Sequence, residues 1–275
     1  MITVPSIPSH LNFLKKCSFN LRTSDDHIID IWELEIPEDG DLSGWAKHFR
    51  ECYCFDNEID LLRDGTGLTR ADFLEQFVFP DAKKSPGPSI RAGDFAELLI
   101  ADYLEYLKGY WVPKGKFAEK ESRNESAKGV DILGIKVLDM EKESPNDELF
   151  TFEVKAQLTG TAYKDRLQTA IDDSSKDYFR QATTLYAIKR RLMRSNQHDK
   201  VLLVQRFQNL VDRPYKYLSG AAAILSDKAY DELAITTNTK IVNHQNSDNL
   251  QLIIIRGSDL MRFVHALYQR AAHEA

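Results

Sequence analysis

The sequence predicts an α/β fold, and two observations carry that expectation. Residues 150–158 alternate between apolar Phe150, Phe152, Val154, Ala156 and Leu158 and polar Thr151, Glu153, Lys155 and Gln157, the period of two expected of a strand with one apolar face. Residues 130–138 form an earlier β-like run. The polar connection over 139–148, with Pro145 and Asn146, reads as the turn of a hairpin. A helix bearing Glu97 precedes both strands.

The other elements follow in chain order. Residues 28–36 form an apolar alternating stretch, and a helix is expected around 45–52. Pro80, Pro86, Gly87 and Pro88, with Lys83, Lys84 and Ser85, make a breaker-rich connection over 80–91. This divides an N-terminal region, 1–79, whose chemistry is unreadable, from a second part, 80–275, that carries the chemistry. Beyond it, 220–225 and 252–255 are apolar segments. Ser258 is expected to cap a final helix bearing Leu260, Phe263, Val264, Leu267 and Tyr268, whose role is packing. There is no internal repeat and no low-complexity tract.

At 275 residues and 43% hydrophobic, the chain can bury a large core, as one large domain or two small ones. Cys17, Cys52 and Cys54 are an odd number without zinc-type spacing, so neither a disulfide framework nor a metal knuckle is expected, and a reducing cytoplasm is the natural location. Residues 1–10 lack the basic-then-apolar pattern of a signal peptide, and no apolar run approaches the roughly 18 residues of a membrane span. Secretion and membrane insertion are therefore not expected. A net charge of −6 argues mildly against a protein that coats nucleic acid. Residues 176–216, however, hold ten Lys or Arg against three Asp. Within them Lys189, Arg190, Arg191 and Arg194 crowd one end of a helix that also bears Tyr178, Phe179 and Tyr186. Cations at a helix C-terminus are favoured by its dipole alone, and the same cluster suits a basic wall for DNA.

The candidate chemistry lies in the hairpin. Glu153 and Lys155 point the same way from their strand, and Asp131, in Gly129-Val130-Asp131-Ile132-Leu133-Gly134, can sit beside them if the two strands pair. Two carboxylates and an ammonium at that spacing suit a hard divalent cation such as Mg²⁺, which prefers one or two carboxylates plus waters and phosphate oxygens. A Glu-x-Lys string also occurs wherever a strand face meets water in a chain that is 28% charged. Against that reading, Asp131 is flanked by Val130, Ile132, Leu133 and Ile135, in a strand that looks buried on both faces, where an unpaired carboxylate is costly. Gly129 and Gly134 bracket it as they would a turn or a close approach.

The order helix with Glu97, strand with Asp131, hairpin, strand with Glu153-Val154-Lys155 resembles the PD-(D/E)xK nuclease superfamily, whose core runs helix, three strands, helix, strand. On that pattern a helix spans 90–108 and a first strand 110–117. The Asp131 and Glu153 strands come next, then a helix over 175–194 and a strand over 200–205 in a mixed sheet flanked by helices. Val130 stands where the superfamily has its eponymous proline. More closely, Gly93-Asp94-Phe95-Ala96-Glu97, the Gly-Val-Asp-Ile-Leu-Gly block and Phe-Glu-Val-Lys-Ala resemble the HamA family, the nuclease subunits of Hachiman-type bacterial anti-phage systems.

The resemblance implies that Asp131 and Glu153 ligate one or two Mg²⁺ ions, or Mn²⁺. The Val154 carbonyl would be a further ligand, and Glu97 would contribute directly or through water. Lys155 would orient the attacking water or stabilise charge growing on the phosphate. It further implies a superfamily 2 helicase partner and degradation of DNA with little sequence preference, with residues 1–79 the guess for the partner interface. Two alternatives stay open: a non-catalytic partner-binding subunit on a nuclease-like fold, and a stand-alone site-specific restriction endonuclease.

Other motifs carry less. Gly65-Thr66-Gly67 lacks the context of a phosphate-binding loop and reads as a turn. The seven histidines show no paired ligand spacing. Gln181 and Tyr186 resemble a Gln and Tyr pair of exonuclease relatives, but with one residue too many between them.

Overall fold

β1 (Leu14–Arg22), β2 (Ile28–Leu34), β3 (Ile132–Lys136), β4 (Glu148–Gln157), β5 (Lys216–Ser226) and β6 (Leu250–Gly257) form one sheet of six strands among the described residues, in the order β1-β2-β6-β5-β4-β3. The structure is a computed structural model that describes residues 6–37, 42–126 and 129–275; residues 1–5 of the stretch read above for a signal pattern lie outside the described residues. β2, β6, β5 and β4 run parallel, and antiparallel β1 and β3 close the two edges. The helices are α1 (Ser43–Glu51), α2 (Ile59–Arg63), α3 (Arg70–Phe73), α4 (Gly87–Asp102), α5 (Arg166–Ser174), α6 (Asp177–Arg194), α7 (His198–Gln205), α8 (Glu232–Asn238) and α9 (Leu260–His273).

Strands covered on both faces must be apolar throughout, which explains the two apolar segments of the C-terminal part. Ala221 to Leu225 lie at the centre of β5, and Leu252 to Ile255 at the centre of β6. On one face Phe150, Phe152, Val154, Ala222, Ile224, Ile253 and Ile255 pack under α1, α4 and α9. On the other, Ala221, Ala223, Leu252 and Ile254 pack under α5 and α8, while α6 and α7 cover Leu133, Ile135 and Leu149. Fully buried residues such as Ile31 and Ile254 each contribute about 1.5–3 kcal/mol.

The N-terminal region joins the same sheet and core. β2 pairs with β6, and Leu14, Leu34, Trp45 and Phe49 share one apolar cluster with Phe95, Leu99 and Tyr268. The breaker-rich connection at 80–91 thus crosses a continuous core.

The structure differs from the sequence expectations at several elements. Residues 110–117 make only an isolated bridge, Trp111 to Ile135, because Pro113 has no N–H to donate and the side chains of Lys114 and Lys116 turn in to carboxylates of α4. Residues 200–205 are helical, not a strand. Val201, Leu203 and Val204 are buried and Leu202 is exposed, a pattern that so short an apolar run does not disclose on its own. The strand that pairs in parallel with β4 is β5, which the sequence reading placed beyond the expected core. The helix expected over 175–194 is α6, and α5 before it was not anticipated. β4 is buried on both faces rather than half-exposed, with Thr151 and Glu153 at 0% and 3% exposure. Asp131 precedes β3 instead of lying inside it. Ser258 does not cap α9: its hydroxyl donates to Asp227, and Asp259 takes the cap position with φ 48°. The helix expected over 90–108 is α4 continued by a π turn, Tyr103–Leu107. The β3–β4 hairpin forms as read.

Candidate active site

Glu153 and Lys155 leave β4 on the face opposite Phe152 and Val154, because side chains alternate along a strand. There Lys155 Nζ lies 3.2 Å from Glu153 Oε2 and 2.9 Å from Asp173 Oδ2 of α5. Ile132 pairs with Phe152, so Asp131 sits one residue beyond the end of the β3 ladder, and its Oδ2 accepts a hydrogen bond from the Val154 N–H at 2.9 Å. The N–H and C=O of one strand residue point to the same edge, so the Val154 carbonyl faces the same space.

The glycines around Asp131 are both used. Gly129 has φ +106°, and a Cβ there would stand 2.9 Å from Thr184 Oγ1. Val130 N–H donates to that same hydroxyl at 3.2 Å, which ties the loop to α6. A Cβ on Gly134 would lie 2.6 Å from the Leu104 side chain.

α6 adds residues that the sequence reading did not select. Asp177, fully buried, lies at its N-terminus, and Arg180 Nη1 stands 3.3 Å from Glu153 Oε1 and 3.5 Å from Asp177 Oδ1. Asp177 Oδ2 and, one turn on, Gln181 Oε1 are buried without a hydrogen-bond partner among the described residues. Burial, reinforced by Asp131 and Asp177, pushes the Glu153 carboxyl up to about 9. Burial and Asp131 push Asp177 up to about 7. Gln181 was noticed in the sequence but set aside on spacing. Its position four residues after Asp177 on one helix face was the available signal.

Glu97 reaches the site from α4, which covers the opposite face of the sheet. Its Oε2 lies 2.5 Å from Lys116 Nζ, and the same ammonium donates to the main-chain carbonyl of Asp131. Burial pushes Glu97 up to about 8, with Lys116 opposing and Asp131 and Asp94 adding to the rise. Asp131 is thus central, acting on Glu97 on one side and on Glu153 and Asp177 on the other. The structure brings Asp131, Glu153, Val154 and Lys155 into one constellation and joins Glu97 to it through Lys116. Nothing in the local sequence marks Lys116, whose partners are tertiary.

Asp131, Glu153 and Asp177 act on one another around the end of the β3 ladder, with the Val154 carbonyl facing the same edge and a buried Asp177 oxygen without a donor among the described residues. This hard-oxygen set fits Mg²⁺ or Mn²⁺.

Of the basic residues on α6, Arg190 and Arg194 are exposed. Lys189 donates to Gln208 at 3.1 Å and Arg191 to Glu119 at 2.9 Å. Tyr178, Phe179 and Tyr186 are exposed along the same helix. A cavity of about 460 Å³ opens between the α5–α6 junction and β5, with Ser174, Tyr178, Tyr217 and Asn246 in its wall.

A second convergence was invisible in the sequence. His10 Nε2 and His48 Nε2 each lie 2.9 Å from the Asp102 carboxylate, and Lys114 pairs with Asp102 and Glu105. Burial alone would raise Asp102, but Lys114 and the two histidines hold it far below the usual carboxylate range. With an ammonium already among these ligands, the cluster reads as a buried ionic anchor between α1, α4 and residue 114.

Fold and site together define a mixed α/β protein with a buried carboxylate and lysine centre where the β3 ladder ends. The HamA family model matches residues 9–271, and the chain belongs to this family, the HamA protein of the Hachiman defence system. No curated protein and no solved structure matches it. Among the described residues no helix is long and apolar enough to cross a membrane.

Proposed function

We propose that this protein is the metal-dependent DNA nuclease of a Hachiman defence system, cutting phosphodiester bonds with little sequence preference under the control of a superfamily 2 helicase partner in the cytoplasm. The observation that carries the reading is the convergence of Asp131, Glu153 and Asp177 beside Lys155, with a buried Asp177 oxygen left without a donor. The PD-(D/E)xK resemblance supports the order of Asp131, Glu153 and Lys155; Asp177 comes from the geometry alone.

Asp131, Glu153 and the Val154 carbonyl would hold Mg²⁺ or Mn²⁺, with Asp177 beside them. Bound there, the ion supplies Lewis acidity to the scissile phosphate and to the attacking water. Lys155, oriented by Asp173, presents its ammonium to charge growing on the phosphate. Arg180 neutralises Glu153 and Asp177 from the solvent side. Arg190 and Arg194, exposed further along α6, offer phosphate contacts, and Tyr178 and Tyr186 offer surfaces on which bases stack.

The test is cleavage of supercoiled plasmid and linear DNA with Mg²⁺, with and without EDTA, comparing wild type and Lys155→Ala, alone and with any helicase encoded beside it. Metal-dependent smearing that the variant lacks supports the reading. Discrete fragments would favour a site-specific endonuclease. Intact DNA under every condition, with folded protein, would favour a non-catalytic partner-binding subunit.

A further inference from the structure

Lys116 lies on the segment between α4 and β3 and has a side chain only 15% exposed. Every polar group that its ammonium touches is an oxygen: Glu97 Oε2 and the Asp131 carbonyl. On the α4 side the Lys116 ammonium already stands between the Glu97 carboxylate and the Asp131 carbonyl, and a metal ion entering beside it would set two buried cations against each other, which is costly. The two sides of Asp131 are also occupied differently. Glu153 and Asp177 lie on the α6 side with Asp177 Oδ2 unpartnered, whereas on the α4 side Glu97 Oε2, though it accepts no well-aligned hydrogen bond, has the Lys116 ammonium 2.5 Å away.

We propose that Lys116 is a built-in cation standing where a second metal ion would sit between Glu97 and Asp131, so that the site takes a single divalent ion on the Glu153 side and Glu97 is not a ligand. This rests on the metal-dependent reading above and narrows it. Lys116 is a positioning residue: it fixes the Asp131 backbone and neutralises Glu97. Removing its ammonium leaves two oxygens facing a vacant position of the kind that a hard cation fills.

The test counts ions on the full chain by calorimetric titration with Mn²⁺, backed by electron paramagnetic resonance of bound Mn²⁺. Wild type binds one ion, Lys116→Met binds two, and the spectrum of the variant carries the broadening of a coupled pair. Glu97→Gln still binds one ion, without the roughly 10–100-fold loss of affinity that removal of a supporting residue causes. Two ions on wild type, or loss of binding in Glu97→Gln, would overturn the proposal while leaving a metal-dependent nuclease standing. No ion on wild type would overturn both. If Lys116→Met fails to fold, as judged by circular dichroism, the double variant Glu97→Gln/Lys116→Met removes the pair together. It should bind one ion, and two ions there would count against the proposal.

Discussion

The backbone N–H of Val154 donates to Asp131 Oδ2 at 2.9 Å, so the aspartate is held by the strand that carries its partners. A carboxylate that accepts a backbone hydrogen bond keeps its orientation at little entropic cost. Asp131→Ala should therefore lower Mn²⁺ affinity as well as abolish cleavage, which titration and a plasmid assay would measure side by side. Cleavage at the wild-type rate would reject this site.

Lys155 makes a different contribution. Its ammonium is tethered by Asp173 and Glu153 and is not in a position to ligate a cation. Lys155→Ala should cut the cleavage rate by about 10²–10³-fold or more, the scale of losing one preorganised charge, while the Mn²⁺ stoichiometry stays as in wild type. Parallel loss of metal binding would mean that the lysine acts on the ligands rather than on the phosphate.

The protonation of the acidic cluster sets a pH dependence. Without metal, burial and the neighbouring carboxylates push Glu153, Glu97 and Asp177 up to about 9, 8 and 7, from ordinary values of 4.5 for Glu and 3.8 for Asp. From the ordinary to the raised values the folded state binds more protons than the unfolded chain, so stability falls progressively as pH rises from about 4 and the loss is complete near 9. Metal-free protein should melt at a lower temperature at pH 9 than at pH 6. Mg²⁺ should restore the loss at high pH, because the ion binds the deprotonated, folded state. A melting temperature that climbs over this range without metal would contradict a protonated cluster.

Gly129 offers a stability test remote from the charges. Its φ of +106° is strained for any side chain, and a Cβ would press on Thr184 Oγ1. Gly129→Ala should cost about 1–3 kcal/mol in urea unfolding and should slow cleavage by shifting Asp131. An unchanged midpoint would show that the loop can move freely away from α6.

The outer face of α6 is tested by salt. If Arg190 and Arg194 each contact a phosphate, replacing both with alanine should flatten the slope of log K against log salt by about 1.8, at ~0.9 for each contact. An unchanged slope would place the DNA path elsewhere.

The hairpin was readable in the sequence because residues 150–158 alternate and a polar turn with Pro145 and Asn146 separates them from the β-like run at 130–138, and with it came Asp131, Glu153 and Lys155. The strands β5 and β6 were visible only as apolar runs. Strands buried on both faces carry no alternation, which is also why helical 200–205 could be mistaken for the last strand. Asp177 and Lys116 escaped notice for another reason. Each is an ordinary charged residue until tertiary packing sets it against Asp131, and no local pattern encodes that meeting.

The pairing of β2 with β6 joins the start of the chain to its last strand, and Gln251 donates to Asp30, 221 residues before it. β4 likewise lacks its parallel neighbour until β5 has been made. On a ribosome, then, the strand bearing Glu153 and Lys155 emerges long before the sheet that would hold it in register, and contacts of such high sequence separation form slowly. Order of synthesis thus acts as a delay: β4 gains its parallel neighbour only with β5, and β5 is flanked on its other side only once residues 250–257 have left the exit tunnel.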